Sequence, residues 1–262
     1  MSTRTYPARG IVLRTRAIGE KDRVLVLLTQ EYGKLSASAR GSRNPKSKLA
    51  PVSQPFTLAN FLLARGRSLQ IVSQAVIEDA HIYLAKDLVK TAWASYVCEL
   101  CDALPEDLPD PELFELLMVT LHALNNAQSN SHAEVIGRWF EAKYLAHLGY
   151  APVLGKCTVC GAKIAIAADD TESSIAFSPS LGGTLCRTCA AGDTRKLYAK
   201  VQALRALRHL ENAPAPLEEI FERLELTQQA KADLRDVLLQ SLNAHLSIKW
   251  KSRAFLDEIL AG

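Results

Sequence analysis

Two hydrophobic periods divide the chain. Between residues 9 and 77 apolar positions alternate with polar ones or run in short branched blocks; from about Tyr83 they recur near every 3.6 residues. Ile11-Val-Leu-Arg-Thr-Arg16 and Arg23-Val-Leu-Val-Leu-Leu-Thr29 have strand length and β-branched content. Lys34-Leu-Ser-Ala-Ser-Ala-Arg40 alternates strictly, which suits a strand with one wet face. Phe56–Ala64 and Ser68–Ile77 complete five predicted strands, separated by turn residues at Gly19 with Asp22, Gly33, Gly41 with Pro45, and Arg65-Gly66-Arg67. Five short strands so closely spaced predict a small antiparallel barrel. An OB-fold leads, and an SH3-like barrel also fits five strands.

The second period predicts helices. Leu84, Leu88, Ala92 and Tyr96 share a face of a helix running to about Leu104. Pro105, Pro109 and Pro111 break the chain and open a helix over Glu112–Asn125. Asn130-Ser131 is the expected cap of a third, His132–Leu148, which Gly149 ends. Further helices are expected over Arg195–Glu211, Pro216–Leu224 and Thr227–Ile248, the last with Leu234, Leu238, Leu242 and Leu246 on one face.

Composition adds that a core of useful size is available. Of 262 residues, 48% are hydrophobic and 23% charged, which excludes wholesale disorder. The first residues lack the apolar run of a secretory signal. The uncharged windows Leu49–Ala64 and Leu116–Ala133 are interrupted by proline or polar residues and cannot span a bilayer. A cytoplasmic protein is expected. The net charge of +3 conceals an asymmetry. Residues 1–80 carry 13 Lys/Arg against 5 Asp/Glu, and residues 81–150 carry 4 against 10. A basic head on an acidic middle points to a polyanion partner at one end only.

Six cysteines form three Cys-x-x-Cys pairs. Cys157/Cys160 and Cys186/Cys189 lie beside Gly155, Gly161 and Gly182-Gly183, residues that permit the tight turns placing two sulfurs on one edge of a tetrahedron. Four thiolates make a closed, structural zinc site. The 25-residue spacer has room for a hairpin, with Ile164-Ala-Ile-Ala and Ser174-Ile-Ala-Phe as its strands. A zinc-dependent hydrolase or deaminase needs an open metal position and a general base, and the spacing provides neither. Cys98 and Cys101 fall within a predicted helix and read as packed thiols. The six histidines read as structural, Trp93 and Trp139 as core anchors, and Trp250 as an anchor or a surface aromatic among Lys249, Lys251 and Arg253.

The candidate nucleic-acid contacts are Arg14, Arg16, Lys34, Arg40, Arg43, Lys46, Lys48, Arg65 and Arg67. Arg40-Gly-Ser-Arg-Asn-Pro-Lys-Ser-Lys48 gathers four cations in one loop, and Arg65-Gly-Arg67 places two at a hairpin tip. On a barrel these would track phosphates. Aromatics in the segment are few, so backbone contact should outweigh base reading. Walker, Rossmann and nucleophile-elbow motifs are absent, so catalysis has no support in the sequence.

Gly10-Ile-Val-Leu-Arg-Thr-Arg, Gly19-Glu-Lys-Asp-Arg-Val, Leu28-Thr-Gln-Glu-Tyr-Gly-Lys-Leu and Ala39-Arg-Gly-Ser-Arg resemble the N-terminus of the bacterial recombination mediator family RecO. Ser47-Lys-Leu, Gln54-Pro-Phe-Thr, Ser68-Leu, the helical middle, both knuckles and Phe177-Ser-Pro…Gly182-Gly-Thr-Leu-Cys continue the resemblance over nearly the whole chain. It implies an α+β multidomain protein without turnover. Residues 1–80 would form an OB-fold that binds DNA. Residues 81–150 and 194–262 would form a helical domain, with a four-Cys zinc module over 151–193 inserted in it. It also implies DNA repair by recombination in the RecF pathway: binding of single- and double-stranded DNA, strand annealing, and partnership with RecR and the SSB C-terminal tail so that RecA loads on SSB-coated DNA. Such a protein would be cytoplasmic and nucleoid-associated, with no membrane partner. The alternatives are a zinc-ribbon transcription or RNA-binding factor and a scaffold whose basic barrel takes an acidic protein.

Overall fold

The structure is a computed structural model. It describes residues 5–106, 108–164, 170, 173–214, 226–246 and 250–261. The helix expected over 216–224 and most of the strand expected at 164–167 lie outside the described residues. By contacts the chain forms two compact units, residues 1–133 with 250–262 and residues 134–249.

The first unit opens with five strands, β1 (Thr5–Ile18), β2 (Asp22–Thr29), β3 (Gly33–Ala39), β4 (Leu58–Ala64) and β5 (Gln70–Asp79), with a one-turn helix α1 (Leu49–Val52) between β3 and β4. They close into a barrel in the order β1-β2-β3-β5-β4, with β1 returning to β4. The β3–β5 pair is parallel, Ala37 beside Gln70, and every other pair is antiparallel. This is the Greek-key closure expected of an OB-fold, and an up-and-down meander would lack the parallel pair. Alternation sets the inside. Ala8, Val12, Leu25, Leu27, Leu35, Ala37, Ala59, Phe61, Leu63 and Val72 fill the lumen. Val24, Val26 and Leu28 point the other way yet are also buried, because α2 (Leu88–Asp102) and α3 (Pro111–Asn126) pack on β2. A strand covered on both faces reads as a continuous apolar run, as β2 does.

The helices of this unit begin with built caps. Asp87 accepts the Lys90 N–H at 3.0 Å at the start of α2, and Asp110 accepts the Leu113 N–H at 2.9 Å at the start of α3, with Pro111 in its first turn. The helix expected from Leu84 is split. Residues Leu84–Lys86 form a 3-10 turn, and Leu88 is exposed at the N-terminus of α2 instead of packed on its face. Asp87 is the reason, since its extended backbone and capping carboxylate restart the helix there. The last helix, α8 (Lys251–Ala261), packs on α2 and has its N-terminus closed by Glu99, whose carboxylate accepts the Lys251 and Ser252 N–H groups at 3.1 and 2.8 Å. Trp250 is buried, so it is an anchor and not a surface aromatic.

The second unit holds most of α4 (Asn130–His147), a three-stranded sheet, α6 (Val201–Asn212) and α7 (Gln228–His245). Ser129, not the expected Asn130-Ser131, caps α4: its Oγ accepts the His132 N–H at 3.1 Å. The sheet has the order β7-β6-β8, from β6 (Ser174–Ser178), β7 (Gly183–Leu185) and β8 (Leu197–Lys200), with a one-turn helix α5 (Arg187–Ala190) after β7. Strand β8 corrects the helix expected from Arg195. Residues 197–200 pair with β6, and α6 starts only at Val201. The pairing with β6 is a long-range tertiary contact that local periodicity cannot signal.

Candidate nucleic-acid interface and metal centre

The cations singled out on the barrel fall into two groups. Arg14 on β1 and Lys34 on β3 converge on one carboxylate, Asp102 at the end of α2. Lys34 Nζ lies 3.3 Å from Asp102 Oδ1 and its side chain is 11% exposed, so its charge is both paired and nearly covered. Ser36 Oγ faces Glu106 Oε1 at 3.4 Å along the same strand. The outer face of β3, where an OB-fold commonly takes an oligonucleotide, is thus lined by acidic residues of this chain.

The remaining cations, Arg16, Arg40, Arg43, Lys46, Lys48, Arg65 and Arg67, are exposed and form no ion pair with another described residue. The loop after β3 is fastened to the β1–β2 turn. Gly41 N–H donates to Asp22 Oδ1 at 2.7 Å, Arg43 N–H to Lys21 O at 3.0 Å, and the Arg43 guanidinium to Gly19 O at 2.7 Å. Within the loop, Asn44 Oδ1 accepts the Lys46 N–H, and Ser42 Oγ donates to Ala39 O. The loop is therefore a built turn presenting Arg40, Lys46 and Lys48, and it brings exposed Lys21 to the same end of the barrel. Lys21 was missed in the sequence, where its neighbours Glu20 and Asp22 mask it; the signal was its place in the β1–β2 turn, a loop that OB-folds use for ligands.

The four cysteines of the two knuckles come together, with all Sγ atoms within 4.8 Å of one another and Cys160 Sγ 3.8 Å from Cys186 Sγ. Each knuckle is a hydrogen-bonded turn. Cys157 N–H donates to Ala162 O at 2.8 Å and Gly161 N–H to Cys157 O at 2.9 Å, with Gly161 at φ +73°. On the other side Cys186 caps α5, its Sγ accepting the Cys189 N–H. Thr184 clips the first knuckle to β7: its Oγ1 donates toward Lys156 O at 2.9 Å, and its carbonyl accepts the Thr158 N–H at 2.9 Å. A Cβ on Gly183 would lie 2.5 Å from Val153 O, so the close approach of this strand requires glycine. Thr184 is a positioning residue that spacing arguments do not reach.

The four sulfurs are close enough to hold one metal ion. Backbone N–H groups of Cys160 and Cys186 hold the Cys157 thiol down at about 6, whereas hydrogen bonds among the sulfurs push Cys189 up to about 12. Four sulfurs this close cannot all ionise against one another, and a divalent ion removes the conflict. An all-thiolate donor set suits zinc or another thiophilic ion in a closed tetrahedral site. Cys98 and Cys101 lie elsewhere, fully buried in α2, where burial pushes both thiols up. They pack as small apolar groups.

Among the described residues, no helix is long and apolar enough to cross a membrane. The N-terminal family model of recombination protein O matches residues 1–81, and the C-terminal model matches residues 85–254. The DNA repair protein RecO of Pelotomaculum thermopropionicum is 38% identical over 96% of this chain and 93% of its own length. The proteins of the same name from Symbiobacterium thermophilum and Desulforudis audaxviator are 33% and 36% identical, each over 97% of both chains. With a closed five-stranded barrel, a helical remainder and near-complete coverage by both models, the chain belongs to the RecO family of DNA repair proteins.

Proposed function

We propose that this protein binds single- and double-stranded DNA through the cations at the loop end of its barrel, anneals complementary strands and, with RecR, helps RecA load on SSB-coated DNA. The observation that carries the reading is the fastened loop with Arg40, Arg43, Lys46 and Lys48, whose charges are exposed and free of carboxylate partners. Such cations displace counterions from phosphates, and each contact contributes without regard to sequence. Two strands carried by neutralising protein repel each other less, and base pairing supplies the recognition. The reaction needs no nucleotide and no turnover.

In this reading residues 1–80 are the DNA-binding domain, and residues 81–150 with 194–262 are the helical domain. Residues 151–193 are the module in which Cys157, Cys160, Cys186 and Cys189 hold one structural zinc ion. The acidic stretch 81–150 repels DNA and leaves the helical domain to protein partners, RecR and the SSB C-terminal tail. The setting is the bacterial cytoplasm at the nucleoid.

The test is annealing of complementary oligonucleotides coated with SSB, with and without the protein, over a salt series. Acceleration that fades with salt and consumes no nucleotide is expected. DNA affinity without acceleration, together with preference for one sequence or for structured RNA, would instead support a zinc-ribbon regulator. Loss of both would support a protein scaffold.

A further inference from the structure

His81 and His122 are 41 positions apart in sequence and meet in the first unit. His81 follows β5 at φ +43°, and its ring is buried. Its Nδ1 lies 2.8 Å from Phe56 O. A carbonyl only accepts, so Nδ1 carries the hydrogen, and Nε2 of the neutral ring presents a bare lone pair. That lone pair faces Asp79 Oδ2, a second acceptor, at 3.5 Å. The carboxylate cannot easily turn away, because its Oδ1 accepts the His81 backbone N–H at 2.8 Å. His122, on α3, brings its Nδ1 to 3.7 Å from the same Oδ2. The three ligand atoms lie within 4.8 Å of one another.

A metal ion between these facing acceptors would satisfy both of them at once. A tetrahedral ion with bonds of about 2.0–2.1 Å sets its ligands roughly 3.3 Å apart, within a few tenths of an ångström of the two measured separations. The carbonyl behind His81 is the kind of partner that fixes the tautomer and aim of a metal-bound imidazole. The His122 side chain is 66% exposed, so its ring can close on an ion arriving from solvent. Its Nε2 sits 3.1 Å from Asn126 Nδ2, which also donates to His122 O at 3.0 Å and so steadies the ring on α3.

We propose that Asp79, His81 and His122 form a second metal site, for a divalent transition ion of the zinc, cobalt and nickel class, with at least one position open to water. Two imidazoles and a carboxylate suit such ions and disfavour calcium and magnesium. The bound ion ties the end of β5 to α3. It is chemically distinct from the four-cysteine centre, because it offers no sulfur.

The test adds Co²⁺ to the untagged full-length protein already carrying one zinc per chain at its cysteines. A further equivalent of cobalt is expected, with weak visible d–d bands, no thiolate charge-transfer absorption, and a raised melting temperature. His122→Ala, an exposed substitution that leaves the metal-free melting temperature unchanged, is expected to weaken cobalt binding at least tenfold, and Asp79→Asn to weaken it likewise. Absence of binding at millimolar Co²⁺, equal binding by His122→Ala, or uptake seen only as thiolate bands would each overturn the proposal.

Discussion

At the scale of single residues, what a charge does depends on whether the fold has already answered it. Arg14 and Lys46 look alike in the sequence, but Arg14 is paired with Asp102 and Lys46 faces water on a fastened loop. Their contributions to DNA binding should differ accordingly. Each lost phosphate contact lowers the slope of log affinity against log salt by about 0.9, which is roughly eightfold in affinity at 0.1 M salt. The Arg43→Ala/Lys46→Ala protein should therefore bind DNA roughly sixtyfold more weakly at that salt, with the slope reduced by about 1.8. Arg14→Ala should stay within about twofold, since a cation already paired with a carboxylate neutralises little phosphate charge and so displaces few counterions from the DNA. Fluorescence anisotropy with one labelled strand over a salt series measures both. Equal losses for the two proteins would place the DNA along β1 and not at the loop end. The pairing that separates them was not legible in the sequence, because Asp102 stands 88 residues from Arg14. The clustering of the four cysteines was legible, because a knuckle is local and its glycines announce it; Thr184, acting across a strand, was not.

At the scale of elements, a strand or helix was legible where its own residues decide it. The five barrel strands alternate about a lumen and stand where the pattern put them. Strand β8 was read as helix because only its pairing with β6 makes it a strand. Helix α4 shows a further tertiary choice. Arg138 and Glu141, both nearly inaccessible, bond at 2.9 Å, and Glu134 joins at 3.3 Å. A sequence reading places an Arg and a Glu three apart on a solvated face, because the pattern carries no sign that this face is covered. A buried pair gains little over an apolar pair of the same volume, but removing one partner strands a charge out of water. Arg138→Ala should cost about 3–5 kcal/mol of stability. Arg138→Met/Glu141→Leu should recover most of that. Urea unfolding of the three proteins decides the matter. A loss below about 1 kcal/mol for Arg138→Ala would show that the pair is solvated in solution.

At the scale of the molecule, the proposed DNA contacts and the four cysteines fall in different compact units. The barrel and its exposed cations belong wholly to the unit of residues 1–133 and 250–262, with its own lumen of apolar side chains. The four cysteines belong wholly to the unit of residues 134–249, where, among the described residues, the apolar cluster around them is small: Cys157, Ala176, Leu185 and Ala190 are its buried members. So few buried groups offset little of the chain entropy of ordering two knuckles and a three-stranded sheet, and a metal held by the four cysteines, as proposed, would supply the difference. Removing the metal should therefore act on one unit. Cys157→Ser/Cys160→Ser, or treatment with a strong chelator, should release the ion and lower the melting temperature of the second unit. Near-identical DNA affinity of treated and untreated protein would follow, since the cations proposed to contact phosphate lie in the other unit from the cysteines. Hydrogen exchange read by mass spectrometry should show amides of 153–164 and 183–190 losing protection while those of β1–β5 keep theirs. A fall in DNA affinity in step with metal release would place part of the nucleic-acid surface on the cysteine module and would require its own cations, Lys156, Lys163 and Arg187, to be added to the interface.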